Sequence, residues 1–323
     1  MNQSGQMGQK WQLLAYVAMG LLLHALLYTT YVGSVAPAHR VVEVDAEWFA
    51  GDAPIRVLAL GGSHTRSAID PDLMPDSLNL GVGGEHYLKT LYRIRHLLRE
   101  HDRAVSCVLL PLDAASLSSW KTDDFTPEFV WGRYVDFIAV GRIQHKPFAY
   151  ARMWTKARLF PYAGELETVR MMRSGTKAFK DEEQLSRLAA SNQLDVAARS
   201  ERRSGRDAAQ EHLGGYNHAD PALSWALREI VRTFRERGTR VVLVSYPMTA
   251  GYSNTARRLG ADMGPQKALV AELAQAGAVE HLDFETLFHE KPEKFYDGDH
   301  LSKPGREHFS RLLRQSLLSL GIK

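Results

Sequence analysis

The pattern of apolar and polar positions divides the chain into three kinds of segment. The first carries no charge: from Trp11 to Ala38 there is no Asp, Glu, Lys or Arg. Its apolar part, Trp11–Val32, would span roughly 33 Å as a helix, enough to cross the hydrocarbon core of a bilayer. Trp11 and Tyr31 sit near its ends, where interfacial aromatics belong, and Lys10 precedes it. The second kind is a strand and helix rhythm. The apolar run Ile55–Leu60, ending in Gly61-Gly62, reads as a strand buried on both faces, and Leu78–Val82, Ala104–Leu110, Arg240–Tyr246 and Val279–Phe284 read as further strands. Between and after them, Tyr87–Leu98, Leu223–Arg237, Pro265–Ala276 and Pro304–Leu320 place apolar residues at helical spacing. Gly238, Gly277 and Gly321 follow three of these as stop signals. The third kind, 116–220, breaks the rhythm, with aromatics early and Arg, Lys and Ser later, including the basic run Arg199–Arg206.

Strands alternating with helices predict an α/β domain with a central parallel sheet covered on both faces. The expected organisation is a short N-terminus (1–10), a membrane-spanning helix (11–32), a linker (33–53) and one domain (54–323). Residues 116–220 form a helical insertion between the third and fourth strands. A cleavable signal peptide is the rival for the first segment, because Ser34-Val35-Ala36 and Ala36-Pro37-Ala38 offer small residues. The apolar stretch exceeds the usual length of a signal-peptide core, which favours an uncleaved anchor. Lys10 puts the N-terminus on the cytoplasmic side and the remaining chain outside it. His24 within the span reads as a tolerated polar residue or a helix-contact group.

Composition narrows the classes. Of 323 residues, 45% are hydrophobic and 24% charged, which excludes a disordered chain. Lys+Arg 40 against Asp+Glu 37 gives only +3, so no nucleic-acid partner is expected. The single cysteine, Cys107, excludes an intrachain disulfide and a Cys-rich zinc site; in the middle of a strand it reads as a buried thiol. No cofactor and no metal is expected.

Chemistry concentrates at two places that a parallel sheet brings to one edge. Gly61-Gly62-Ser63-His64 lies where the first strand ends and a helix begins, the edge at which α/β sheets bind ligands. Asp297-Gly298-Asp299-His300 lies between the last strand and the last helix. A serine nucleophile needs a base within hydrogen-bond reach and an acid to fix the tautomer of that base. Asp297 and His300 are close enough for one loop to present both.

These blocks resemble those of the SGNH/GDSL hydrolase superfamily. Its first block, usually Gly-Asp-Ser, matches Gly61-Gly62-Ser63. Its glycine block after the second strand matches Asn79-Leu80-Gly81-Val82-Gly83-Gly84, and its last block, Asp-x-x-His, matches Asp297-Gly298-Asp299-His300. The resemblance implies a flavodoxin-like three-layer sandwich, with Ser63 as nucleophile, His300 as general base and acid, and Asp297 as orienting carboxylate. Ser63 N–H and Gly84 N–H would form the oxyanion hole. Asp299 is expected to cap its loop, and His64 and His86 to have surface or structural roles.

Two positions depart from the family pattern. Gly62 stands where Asp is usual, and Leu110-Pro111-Leu112-Asp113 stands where Gly-x-Asn-Asp should supply a further oxyanion donor. With the anchor, this pattern is similar to the membrane-anchored branch that modifies cell-envelope polymers, such as the alginate O-acetylation proteins and the teichoic-acid D-alanyl transfer protein. The resemblance implies a serine esterase or O-acyltransferase on the periplasmic face of the bacterial inner membrane. Its substrate would be an envelope polysaccharide or acyl-glycan, and its partner a membrane-bound O-acyltransferase. Trp120, Trp131 and Trp154 in the insertion are candidates to stack on sugar faces. The alternative is a catalytically weak or inactive scaffold that binds polymer or that partner; the missing third block favours it, and the intact Ser63, Asp297 and His300 disfavour it.

Overall fold

The computed structural model describes residues 3–120, 122–126, 128–163, 204–214, 219–259 and 264–322. They belong to two compact units. One is built from 1–43, 126–133 and 137–178, the other from 44–125, 134–136 and 179–323.

The larger unit holds a five-stranded sheet, all parallel, in the order β2-β1-β3-β4-β5. The strands are β1 (Ile55–Ala59), β2 (Ser77–Asn79), β3 (Val105–Pro111), β4 (Arg240–Ser245) and β5 (Glu280–Asp283). Each falls within or beside an apolar run recognised in the sequence. β2 is the shortest, because the chain leaves the sheet after Asn79. In this order β1 leads outward to β2 and the chain then crosses back to β3, so the ends of β1 and β3 form the topological switch point.

The helices among the described residues are numbered in chain order. α1 (Gln3–Thr30) and α2 (Arg40–Phe49) precede the sheet, α3 (Ser63–Ala68) follows β1, and α4 (Tyr87–Glu100) follows β2. Between β3 and β4 run α5 (Glu128–Trp131), α6 (Phe137–Ile143), α7 (Pro147–Leu159), α8 (Gly205–Leu213) and α9 (Pro221–Arg235). α10 (Ala250–Arg258), α11 (Gly264–Gln275) and α12 (Lys303–Ser319) complete the set.

Alternation along the strands divides the core. Val57, Ala59, Cys107, Leu109, Val242 and Val244 pack with Phe309, Leu313 and Leu317 of α12. The intervening residues, Leu58, Val108, Leu110, Val241 and Leu243, point to the opposite face and are equally buried. α9 touches β4 and α4, and buries Leu223, Leu227, Ile230 and Phe234. The result is a three-layer arrangement of helices, sheet and helices. Burial pushes the Cys107 thiol up to about 12, so it is an inert core group.

The segment read as a linker, 33–53, contains α2. Val41, Val44 and Trp48 are buried at intervals that place them on one helical face, which is why the segment folds. On the N-terminal side of that unit, Asp45 accepts from Arg93 Nε and Nη2 at 2.8 and 2.6 Å, while Arg93 Nη1 donates to Glu85 Oε2 at 2.6 Å and to Leu80 O at 2.8 Å. This buried cluster ties α2 and α4 to the loop after β2.

In the smaller unit α1 is a single apolar helix of 28 residues, longer at its N-terminal end than the expected span. The stretch from Lys10 to Ala38 is long and apolar enough to cross a membrane. His24 Nδ1 bonds Tyr162 OH at 2.8 Å, and its ring meets Phe160 edge-on. His24 is thus a contact group between the helix and the chain that follows α7. Residues 199–203 of the basic run lie outside the described residues; Ser204 caps α8 by accepting from Asp207 N.

Candidate active site

The site is built by three loops at the carboxyl ends of β1, β2 and β3, joined by the loop before α12. After β1, Gly61 adopts φ +131°, and a Cβ there would meet Pro111 Cγ at 2.6 Å and Thr65 Oγ1 at 2.8 Å. Only glycine fits this turn, which delivers Ser63 as the first residue of α3. The loop after β2 is fastened by Asn79: its Nδ2 donates to Ile69 O at 2.9 Å and its Oδ1 accepts from Gly81 N at 3.0 Å. A Cβ on Gly81 would lie 2.7 Å from Arg66 N, so the second loop can press against α3 only with glycine there. Lys89 Nζ donates to Gly84 O at 3.1 Å and holds the following peptide.

These loops enclose a pocket of about 290 Å³, lined among others by Ser63, Gly84, His86, Trp120, His212 and His300. Asp297 accepts from His300 Nδ1 at 3.0 Å and from the backbone N–H groups of Asp299 and His300 at 3.1 and 2.9 Å. The carboxylate therefore orients the imidazole and caps the loop at once. Asp297 fixes the proton on Nδ1 and leaves Nε2 as the acceptor; Nε2 is buried without a hydrogen-bond partner among the described residues. The Ser63–His300 hydrogen bond is not formed, although both side chains line the same pocket; such bonds tighten when substrate binds. Burial works against charging His300, but the bond to Asp297 and the charges of Asp299 and Asp297 raise its pKa above the ordinary imidazole value, with His64 opposing them.

The sequence reading underestimated the residues behind this pair. His64 is buried, with Nδ1 2.8 Å from Asp113 Oδ2 and Nε2 3.1 Å from Asp299 Oδ2. A neutral imidazole could donate to only one of them, so the arrangement holds an imidazolium between two carboxylates. Burial alone would lower its pKa; the two hydrogen bonds and the two negative charges outweigh it and raise it to about 10. Burial pushes the Asp113 carboxyl up, and the bond and charge of His64 more than offset this and hold it below the usual range. The loop-capping bonds expected of Asp299 are made by Asp297. The Asp299 side chain faces three histidines instead: His64, His300 at 3.3 Å and His212 at 3.7 Å. Asp113, in the loop after β3, thus pairs with the residue that follows the serine. His64, Asp299 and His300 also bring possible metal-ligand atoms within 4.8 Å of one another; both nitrogens of His64 and one of His300 are engaged by carboxylates, while His300 Nε2 has no partner among the described residues.

His86 also differs from a surface residue. Its Nδ1 accepts from Lys89 N at 3.4 Å, capping α4, which places its proton on Nε2. Burial and the Lys89 charge hold its pKa well below the ordinary value, so it stays a neutral donor. Nε2 is buried without a partner among the described residues.

Of the three tryptophans, Trp120 belongs to the larger unit and Trp131 and Trp154 to the smaller. Trp120 lines the pocket with its ring 4.3 Å from that of His212. Trp131 is buried in the smaller unit, and Trp154 is 43% exposed on α7.

No family model matches the chain, and no curated protein matches it. Among solved structures it is similar to a Bacteroides fragilis protein described as a "putative acylhydrolase", at 13% identity and a TM-score of 0.42, over 86% of this chain and 95% of that one.

Proposed function

We propose that the protein is a membrane-anchored SGNH-type serine esterase or O-acyltransferase that forms an acyl-enzyme on Ser63. The observation that carries this reading is His300, whose Nδ1 is held by Asp297 while Nε2 is left without a hydrogen-bond partner among the described residues, in a residue that lines the same pocket as Ser63. Ser63 Oγ attacks the acyl carbonyl as His300 Nε2 takes its proton. His300 returns that proton to the leaving oxygen, and water or a sugar hydroxyl then resolves the ester. Ser63 N–H and Gly84 N–H face the oxyanion, and His86 Nε2–H is a further donor where the third-block asparagine is missing.

The apolar α1, with His24 bonded to Tyr162, supports an uncleaved anchor and a catalytic unit on the periplasmic side. An envelope polysaccharide as acceptor and a membrane-bound O-acyltransferase as acyl donor follow from the resemblance to the anchored branch. Trp120, which lines the pocket, is the tryptophan assigned to meet such an acceptor. Replacing it with alanine should lower acyl transfer to oligosaccharide more than hydrolysis of a small activated ester. Equal losses in both assays would leave a simple esterase. Failure of the wild-type chain to hydrolyse any activated ester would favour the scaffold reading.

A further inference from the structure

The α6–α7 segment has a composition unlike the remainder of the chain. From Phe137 to Phe160 it carries Arg142, Lys146, Arg152, Lys156 and Arg158 and no acidic residue. It folds as two short helices packed on each other through Gly141 and Tyr150, with Phe137 and Val140 also buried. Tyr150 and Ala157 mark the buried side of α7. The opposite stripe, Phe148, Arg152, Thr155 and Leu159, recurs at helical spacing and is exposed. Phe148 is 90% exposed, and Leu159 and Phe160 continue the apolar surface at the end of the helix. Large exposed aromatic and aliphatic groups interspersed with the positive charges of Arg142, Arg152 and Arg158 are what an interfacial helix presents to a lipid surface, while Lys156 is paired with Glu128.

The position of this segment relative to α1 gives the surface its partner. Both belong to the same compact unit. Phe160 and Tyr162, immediately after α7, contact α1 at His24. His24 lies six residues before the end of α1 at Thr30, or roughly 9 Å along the axis. A second contact is made near that end, where Phe129 of α5 packs edge-on against Tyr31. In a membrane-spanning α1, a contact at His24 falls below the outer boundary of the apolar stretch. The end of α7 is therefore carried to the depth of the hydrocarbon edge. The Tyr162 hydroxyl satisfies the imidazole that would otherwise be unpaired in the span.

We infer that the α6–α7 hairpin lies in the membrane interface beside the anchor, with Phe148, Leu159 and Phe160 inserted among lipid chains and Arg142, Arg152 and Arg158 at anionic headgroups. This rests on the reading of α1 as a spanning anchor. The hairpin adds a second, peripheral attachment and so fixes the height and tilt of its unit above the bilayer, which a single helix leaves free.

The test uses the full chain reconstituted in vesicles of phosphatidylglycerol and phosphatidylethanolamine. A fluorophore is placed on Phe148→Cys and, as a reference, on Leu21→Cys; the native Cys107 is buried. Quenching by a nitroxide on the lipid chain is compared with quenching by aqueous iodide. The inference predicts that Phe148→Cys is quenched by the lipid nitroxide and shielded from iodide, as Leu21→Cys is. It also predicts that high salt or removal of phosphatidylglycerol reverses this at Phe148→Cys and leaves Leu21→Cys unchanged. If Phe148→Cys is open to iodide while Leu21→Cys is lipid-quenched, the anchor stands and the inference is overturned. If Leu21→Cys is itself open to iodide, the anchor reading fails and the hairpin proposal falls with it.

Discussion

Replacement of His64 by alanine tests the buried ion cluster behind the candidate catalytic pair. The wild-type imidazolium sits 2.8 Å from Asp113 and 3.1 Å from Asp299, with all three side chains at most a tenth exposed. A pKa of about 10 against an ordinary 6.5 corresponds, at about 1.36 kcal/mol per pH unit, to on the order of 5 kcal/mol favouring the charged form. Removing one partner of a buried pair costs about 3–5 kcal/mol by an independent route, because it strands the remaining charges. At about 2.1 cal/mol/K of unfolding entropy per residue, a chain of 323 residues would then lose roughly 4–7 °C in Tm. The sign fixes the pH at which to look: the raised pKa makes the His64 contribution complete below 6.5, and it is lost as pH rises through about 10. Thermal unfolding of the solubilised full chain at pH 6, followed by near-ultraviolet circular dichroism, should show the full deficit. A His64→Ala chain that melts within about 2 °C of the wild type would refute an imidazolium held by two carboxylates.

Three other outcomes follow from the site and its supports. Gly61→Ala should abolish esterase activity, because the new Cβ meets Pro111 at 2.6 Å in a backbone conformation that favours glycine; wild-type turnover would show the turn to be less constrained. Arg93→Met strands the Asp45 and Glu85 carboxylates and should cost about 3–5 kcal/mol in urea unfolding, whereas an unchanged midpoint would mean that the cluster contributes nothing. Because the His300 pKa is raised, its basic form is populated only above the ordinary imidazole range. The rate of Ser63 acylation should therefore rise with a midpoint above pH 6.5, and a midpoint at or below that value would contradict the assignment of the base.

The sheet was legible because β1, β3 and β4 are mostly apolar, buried runs closed by glycine or proline, whereas β2 and β5 at the edges are short and only partly buried. Ser63, Asp297 and His300 were legible as candidates for the same reason: they sit at the strand ends that a parallel sheet brings together. The cluster of His64, Asp113 and Asp299 was not. Its bonds join residues 49 and 235 positions apart, and no periodicity relates them. Asp297 keeps its expected bond to His300 and also takes the capping bonds expected of Asp299, whose side chain faces the histidines; backbone geometry makes that division, and spacing does not encode it. The helix α2 was hidden by its polar positions, although Val41, Val44 and Trp48 carry its period. The interfacial character of α7 was obscured because its outward stripe mixes Phe148 and Leu159 with Arg152, and tertiary burial is what identifies the outer side.

The central claim is an acyl-enzyme on Ser63 formed with His300 as base, and it is tested most directly by trapping that intermediate. The full-length wild-type chain is mixed with an activated acyl ester, quenched in acid and digested, and the peptide carrying Ser63 is weighed by mass spectrometry. The account predicts one acyl mass on Ser63 in the wild type and none in Ser63→Ala. In His300→Ala it predicts the same adduct formed several decades more slowly, because nucleophile and base act as one unit. An adduct on another residue, or labelling of His300→Ala at the wild-type rate, would contradict it.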